Sequence, residues 1–188
     1  RYGLVGSEMC IRDSIHSGEI VALASSPDFN ANKERGELGK NKDSSIYFNR
    51  VVQGVYEMGS TFKIFSVAQG LEKDLFTLDT LIDTRAFRIN SRKIEDKYKF
   101  NSESSIYEII VRSSNVGSAR LALMVGEKGL KEIFSKLGLL EPVRLELREA
   151  NTTRPILPKN WHDITLATVS YGYGLSLIHI SEPTRPYL

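Results

Sequence analysis

Ser60 and Lys63 stand three residues apart at the head of an apolar run, and this stretch constrains the chain more than any other. Gly59, just ahead, tolerates the backbone angles of a tight entry, so Ser60 is expected to open a helix. Positions three apart share a helix face, which brings the Lys63 amine within reach of the Ser60 hydroxyl. The residues that follow, Ile64, Phe65, Val67, Ala68 and Leu71, are apolar nearly all round. Such a pattern predicts a buried central helix rather than a surface one. Burial penalises an ammonium, so Lys63 is expected to have a lowered pKa. That is the kind of base a serine nucleophile needs.

The net charge of +2 over 188 residues gives no electrostatic reason to expect a nucleic-acid partner. An apolar fraction of 41% suits one domain. The two ends are related in an unusual way. One possible coding of residues 5–14 has a reverse complement that reads Leu-Ser-Leu-Ile-His-Ile-Ser-Glu-Pro-Thr, which is the sequence of 175–184. The relation extends outward to residues 1–4 and 185–188. Two protein ends coded by opposite strands of one DNA word resemble the translated ends of a transposase-type sequencing adapter. Segments of that kind are excluded from fold reasoning, so 1–14 and 175–188 are expected to be adapter-derived and 15–174 natural. Cys10 and His179 fall in the ends. Disulfide and metal readings of 15–174 lose their main support. It also has no run of about 18 apolar residues that could span a membrane.

Ile20-Val21-Ala22-Leu23-Ala24 follows Ser17-Gly18-Glu19 and predicts a strand. Residues 30–45, with Lys40 and Lys42, read as a solvated surface loop. Asn90-Ser91 between two short apolar stretches predicts a small hairpin. Ser105 and Glu108 have capping-box spacing and begin a short helix, which 112–115 interrupt. Residues 116–125 are helical again and stop at Gly126, and Leu130, Ile133, Phe134 and Leu137 repeat at helical spacing up to Gly138. Pro142, Pro155 and Pro158 make 139–160 mostly loop.

A bare Ser-x-x-Lys arises by chance roughly once in a chain of this composition, and Ser-x-Asn is as cheap. Their combination carries more. Ser60-Thr61-Phe62-Lys63 opens a helix, Ser113-Ser114-Asn115-Val116-Gly117 lies between two helical stretches, and Tyr171-Gly172-Tyr173-Gly174 follows. Here the chain resembles the transpeptidase domain of a class B penicillin-binding protein, and is most similar to the division-specific, septal type. The resemblance covers essentially all of 15–174, including the 18–22 strand, Asn49-Arg50 and 161–174. It implies an α/β (α+β) fold, an antiparallel sheet covered by helices with Ser60 at the base of a cleft.

The resemblance also implies roles. Ser60 attacks the penultimate D-alanine carbonyl of a peptidoglycan stem peptide, and Lys63 accepts its proton. Ser113 relays a proton to the leaving amine, and Asn115 hydrogen-bonds the substrate amide and the Lys63 side chain. A second stem-peptide amine then resolves the acyl-enzyme. One oxyanion donor would be the Ser60 backbone N–H. No cofactor is implied. The implied partners are stem peptides ending in D-Ala-D-Ala, β-lactams and other cell-division proteins. The implied location is the bacterial inner membrane, with the catalytic domain facing the periplasm and an anchor outside this chain.

The third motif of the family, Lys-(Thr/Ser)-Gly, does not occur in this sequence. It supplies the carboxylate-binding cation and a second oxyanion donor. The expectation is therefore a truncated, inactive piece of an active parent. Three rivals stand beside the septal reading: an elongation-specific enzyme, which usually carries Asp where Asn115 stands, a serine β-lactamase, and a penicillin sensor or inactive scaffold. His162 beside Asp163 suggests a dyad, but a lysine base leaves it no task. His16 carries no information, and Glu57 is expected to shape the serine turn rather than to act as a base.

Overall fold

The computed structural model describes residues 8–26, 47–142, 145, 147 and 153–178. These fall into two compact units, one running to Tyr56 with the described residues of 142–154, the other comprising 57–141 and 155–177. Lys40 and Lys42 lie outside the described residues.

In the first unit, β1 (Glu8–Asp13) pairs antiparallel with β2 (Ile20–Ser26), with Ile11 opposite Leu23. Gly18 turns between them at φ 73°, a left-handed angle that costs glycine little. The predicted strand at 20–24 is thus present, and its partner comes from the segment assigned to an adapter. Asn49 caps α1 (Arg50–Gln53) by accepting the Val51 N–H at 3.3 Å. Val51 and Val52 are fully buried, with Ile11, Leu23 and Leu145 packed against them. Strand β3 (Val55–Glu57) follows.

The second unit opens with a 3-10 turn (Gly59–Phe62) that runs directly into α2 (Lys63–Glu72). Then come β4 (Leu81–Asp83), β5 (Phe87–Ile89), β6 (Arg92–Ile94) and β7 (Glu103–Ser105). Helices α3 (Ile106–Val111), α4 (Asn115–Lys136) and α5 (Asp163–Ser170) follow, and then β8 (Ser176–Ile178). β4 pairs antiparallel with β7, and β5 with β6. The predicted hairpin turns at Asn90, which takes φ 53°, an angle asparagine tolerates. Ser105 accepts the Glu108 N–H at 3.2 Å, as the capping spacing anticipates. Gly126, at φ 73° and ψ 173°, breaks α4 where a stop was expected, and the chain resumes as helix beyond it.

The core gathers α2, α4 and α5. Phe62, Ala122, Leu130, Phe134, Leu166 and Val169 form its main cluster, with the Phe62 and Phe134 rings 5.4 Å apart. Leu175 and Leu177 are buried in the same cluster. Alternation along a strand sends both leucines to one face whatever their origin.

One expectation needs correcting. Helix α2 is not buried all round: Ile64 is 53% and Leu71 36% exposed, while Ser66 and Gln69 are buried. A helix packed on one side buries a stripe, and the stripe is anchored by its tightest contacts. Here those are Phe62 at the N-cap of α2, Val67, and Gly70, where a Cβ would sit 1.9 Å from the Phe76 ring. Lys63 and Ser66 fall on that stripe, and Ile64, Ala68 and Leu71 fall off it.

Candidate active site

The 3-10 turn gives Ser60 and Lys63 their shared face more directly than an α-helix would, because residues three apart eclipse in that geometry. Lys63 donates its backbone N–H to the Ser60 carbonyl, closing the turn. Ser60 is exposed, whereas Lys63 is only 2% exposed.

Two contacts brace the turn from below. The Gly59 N–H donates to the Gly172 carbonyl at 3.2 Å. The Gly174 N–H donates to Glu57 Oε1 at 2.7 Å. Glu57 thus ties down the segment entering the serine turn, the shaping role expected of it. The Tyr171-Gly172-Tyr173-Gly174 stretch is the surface on which the turn rests. Gly172 takes φ 84°, and a Cβ there would lie 2.0 Å from the Gly59 carbonyl oxygen.

The Lys63 amine donates to Ser113 Oγ at 2.8 Å and to the Ser113 carbonyl at 2.6 Å. Ser113 itself adopts φ 60°. A non-glycine residue held in the left-handed region costs on the order of 1–3 kcal/mol, and its neighbours must enforce it. Ser114, fully buried, does so as the N-cap of α4, accepting the Gly117 N–H at 2.9 Å. Burial lowers the Lys63 pKa from 10.5 to about 8, and the negative charge of Asp96 opposes part of that shift. An amine poised there is neutral often enough near neutral pH to accept a proton.

Ser60, Lys63, Ser113 and Asn115, the four residues singled out from sequence, line one concavity of about 240 Å³. Both side-chain hydrogen bonds from Lys63 go to Ser113. Asn115 shares the cavity and starts α4, and its backbone N–H donates to Asp96. His162 and Asp163 stand at the head of α5 and are absent from the cavity lining. Among the described residues no cluster of His, Cys, Asp or Glu is arranged to hold a metal ion, and no helix is long and apolar enough to cross a membrane.

Sequence reasoning missed five lining residues: Asp96, Lys97, Tyr98, Phe100 and Arg112. Arg112 lies 4.1 Å from the Phe100 ring centroid and donates to the Lys99 carbonyl at 2.7 Å, which ties the end of α3 to the strand-connecting segment. Nothing in the order of residues announces this wall. It follows from how β6 feeds toward the start of α4. An acidic side chain available for the Ser114-Asn115 helix start was the one signal that could have found Asp96.

Residues 14–182 match the family model described as the penicillin binding protein transpeptidase domain. Among curated proteins, the chain is 38% identical over 165 residues to the probable peptidoglycan D,D-transpeptidase FtsI of Caulobacter vibrioides, covering 87% of this chain and 27% of that protein. It is 32% identical to the peptidoglycan D,D-transpeptidase FtsI of Escherichia coli K12, covering 86% of this chain and 26% of that one. The chain therefore spans about a quarter of the length of these relatives. Among solved structures, it superposes on a protein described as a peptidoglycan glycosyltransferase from Burkholderia ambifaria with a TM-score of 0.72 at 26% identity, covering 91% of this chain and 48% of the other. The transpeptidase domain of Burkholderia pseudomallei penicillin-binding protein 3, in its apo form, gives 0.71 at 26% identity, covering 91% and 46%.

Proposed function

The chain belongs to the penicillin-binding protein transpeptidase family, and from that premise we propose that its parent is a septal peptidoglycan D,D-transpeptidase with Ser60 as nucleophile. The observation that carries the reading is the buried Lys63 amine, held by Ser113 in the cavity that Ser60 also lines.

The steps follow from that arrangement. Neutral Lys63 takes the Ser60 proton as Oγ bonds to the penultimate D-alanine carbonyl carbon. The tetrahedral oxyanion forms beside the Ser60 backbone N–H, and a donor of that kind is worth roughly 3–4 kcal/mol of barrier. The C–N bond then breaks. Its amine takes the proton from Lys63 through the Ser113 hydroxyl, and terminal D-alanine departs. An amine from a second stem peptide attacks the ester carbonyl, loses its proton along the same path, and returns Ser60 to its free state with a crosslink made. Asn115 is assigned to the substrate amide. A β-lactam acylates Ser60 by the first of these steps.

The septal assignment is supported by Asn115 and by the FtsI names of the relatives. Location at the inner membrane, facing the periplasm, and association with division proteins belong to the same proposal. So does the adapter origin of 1–14 and 175–188, which the DNA reads flanking this chain would test.

The test of the chemistry uses the full-length parent protein and a fluorescent penicillin. Labelling is expected in the unaltered protein and lost in Ser60→Ala. Labelling that persists in Ser60→Ala would remove Ser60 from the mechanism. A crosslinking assay separates a transpeptidase from a sensor, and the rate of deacylation separates it from a β-lactamase.

A further inference from the structure

Asp96 stands two residues beyond Ile94, which is buried against Val116, Ala119 and Ala167. The β5–β6 hairpin therefore delivers Asp96 to the first turn of α4. Its carboxylate is used on both oxygens. Oδ2 accepts from the Ser114 hydroxyl at 2.7 Å, and Oδ1 accepts the Asn115 N–H and the Val116 N–H, the latter at 3.2 Å. An anion at a helix N-terminus satisfies donors that have no partner in the helix and favours the helix dipole.

The consequence lies one residue upstream. Ser113, at φ 60°, is joined directly to Ser114 and stands two residues before Asn115, so the Asp96 bonds fix the chain immediately after the strained turn. The Ser113 carbonyl and hydroxyl are the two acceptors of Lys63. Asp96 also lines the cavity that holds Lys63.

We propose that Asp96 is a positioning residue for the acylation step, one carboxylate that both locks the Ser113 turn and sets the charge balance of the Lys63 base. This rests on the transpeptidase reading above for the step it serves, but not for the contacts it makes. The charged and titratable groups lining the Lys63 cavity are Asp96, Lys97 and Tyr98 from the segment after β6, and Arg112 from the end of α3. Helix α4 offers only neutral Asn115 there, and α5 contributes nothing to the lining. Asp96 is the one anion among them. Its charge favours the Lys63 ammonium against desolvation, so its removal must lower the Lys63 midpoint further.

Two variants separate charge from geometry. Asp96→Asn keeps an acceptor for the backbone N–H groups and an amide to meet Ser114, but discards the charge. Asp96→Glu keeps the charge on a longer arm that displaces the Ser113 turn. In this chain carrying 13C-labelled lysine, with Lys63→Arg to assign the resonance, the Lys63 midpoint is expected to fall below about 8 in Asp96→Asn and to hold in Asp96→Glu. In the full-length protein, the acid limb of penicillin acylation should move to lower pH in Asp96→Asn. The rate should fall by up to about a hundredfold in Asp96→Glu, the cost of a displacement near 1 Å. A Lys63 midpoint unmoved by Asp96→Asn, or acylation untouched by Asp96→Glu, would overturn the assignment. If instead Ser60→Ala still labels, the transpeptidase reading fails while the Lys63 titration still judges Asp96.

Discussion

Lys63 gives up its proton near pH 8 in the folded chain, whereas an unfolded lysine holds it to about 10.5. Between those values the unfolded state binds the extra proton, so stability rises with pH across that window. The cause is desolvation of an amine that is only 2% exposed. Replacing Lys63 by Met keeps an apolar stem and removes the titration. Urea midpoints measured at about pH 7 and about pH 10 should therefore converge differently for the two proteins. The unaltered chain is expected to gain on the order of 2 kcal/mol over Lys63→Met between these pH values. A constant difference would mean that Lys63 is not desolvated. If Lys63 is the base proposed above, the same titration predicts that acylation by the full-length protein climbs with pH, is half-maximal near pH 8 and levels off only above it.

At the scale of elements, the Ser60 turn depends on a segment more than a hundred residues away in sequence. Gly172 sits under Gly59 with no room for a side chain, at an angle that disfavours one. Gly172→Ala must push the Gly59 backbone aside or lose the Gly59 N–H bond to the Gly172 carbonyl. We expect a loss of about 2–4 kcal/mol in unfolding free energy, combining left-handed strain with backbone displacement, and a marked fall in penicillin acylation of the parent. A control at Gly18, with φ 73° but open space around it, should lose only the strain. Equal losses at the two sites would show that the Gly59 contact is immaterial.

The sequence made some of this legible, and the reason is locality. The caps at Ser105 and the break at Gly126 depend on a few neighbouring residues, and their side-chain chemistry dictates them wherever they occur. The four motif residues were legible as a set, although none was persuasive alone. Asp96 was not, because its role depends on the register of a hairpin and on where Ile94 buries. The exposure of Ile64 and the burial of Gln69 were equally hidden, since helix phase is decided by partners such as Phe76 that periodicity does not name.

Over the whole molecule, stability should be distributed as unevenly as burial. Leu121, Ala122 and Leu130 of α4 are fully buried and Phe134 is nearly so, and this helix packs closely with α2 and α5. In the other unit, β2 is largely exposed, with Val21 at 68%. Among the described residues the β1–β2 sheet has two strands, and such a ladder is marginal unless something covers a face. Val51 and Val52 supply part of that cover against Ile11 and Leu23. Local opening should therefore cost far less in β1–β2 than in α4. Native-state hydrogen exchange on this chain is expected to leave the amides of 119–122 and 131–134 the slowest, with those of β2 exchanging on the order of a hundredfold faster after correction for intrinsic rates. Weakening the small core with Val52→Ala should speed β2 further and leave α4 unchanged, because the two clusters share no residue. Protection in β2 equal to that in α4, or a joint response to Val52→Ala, would mean that the two units open as one.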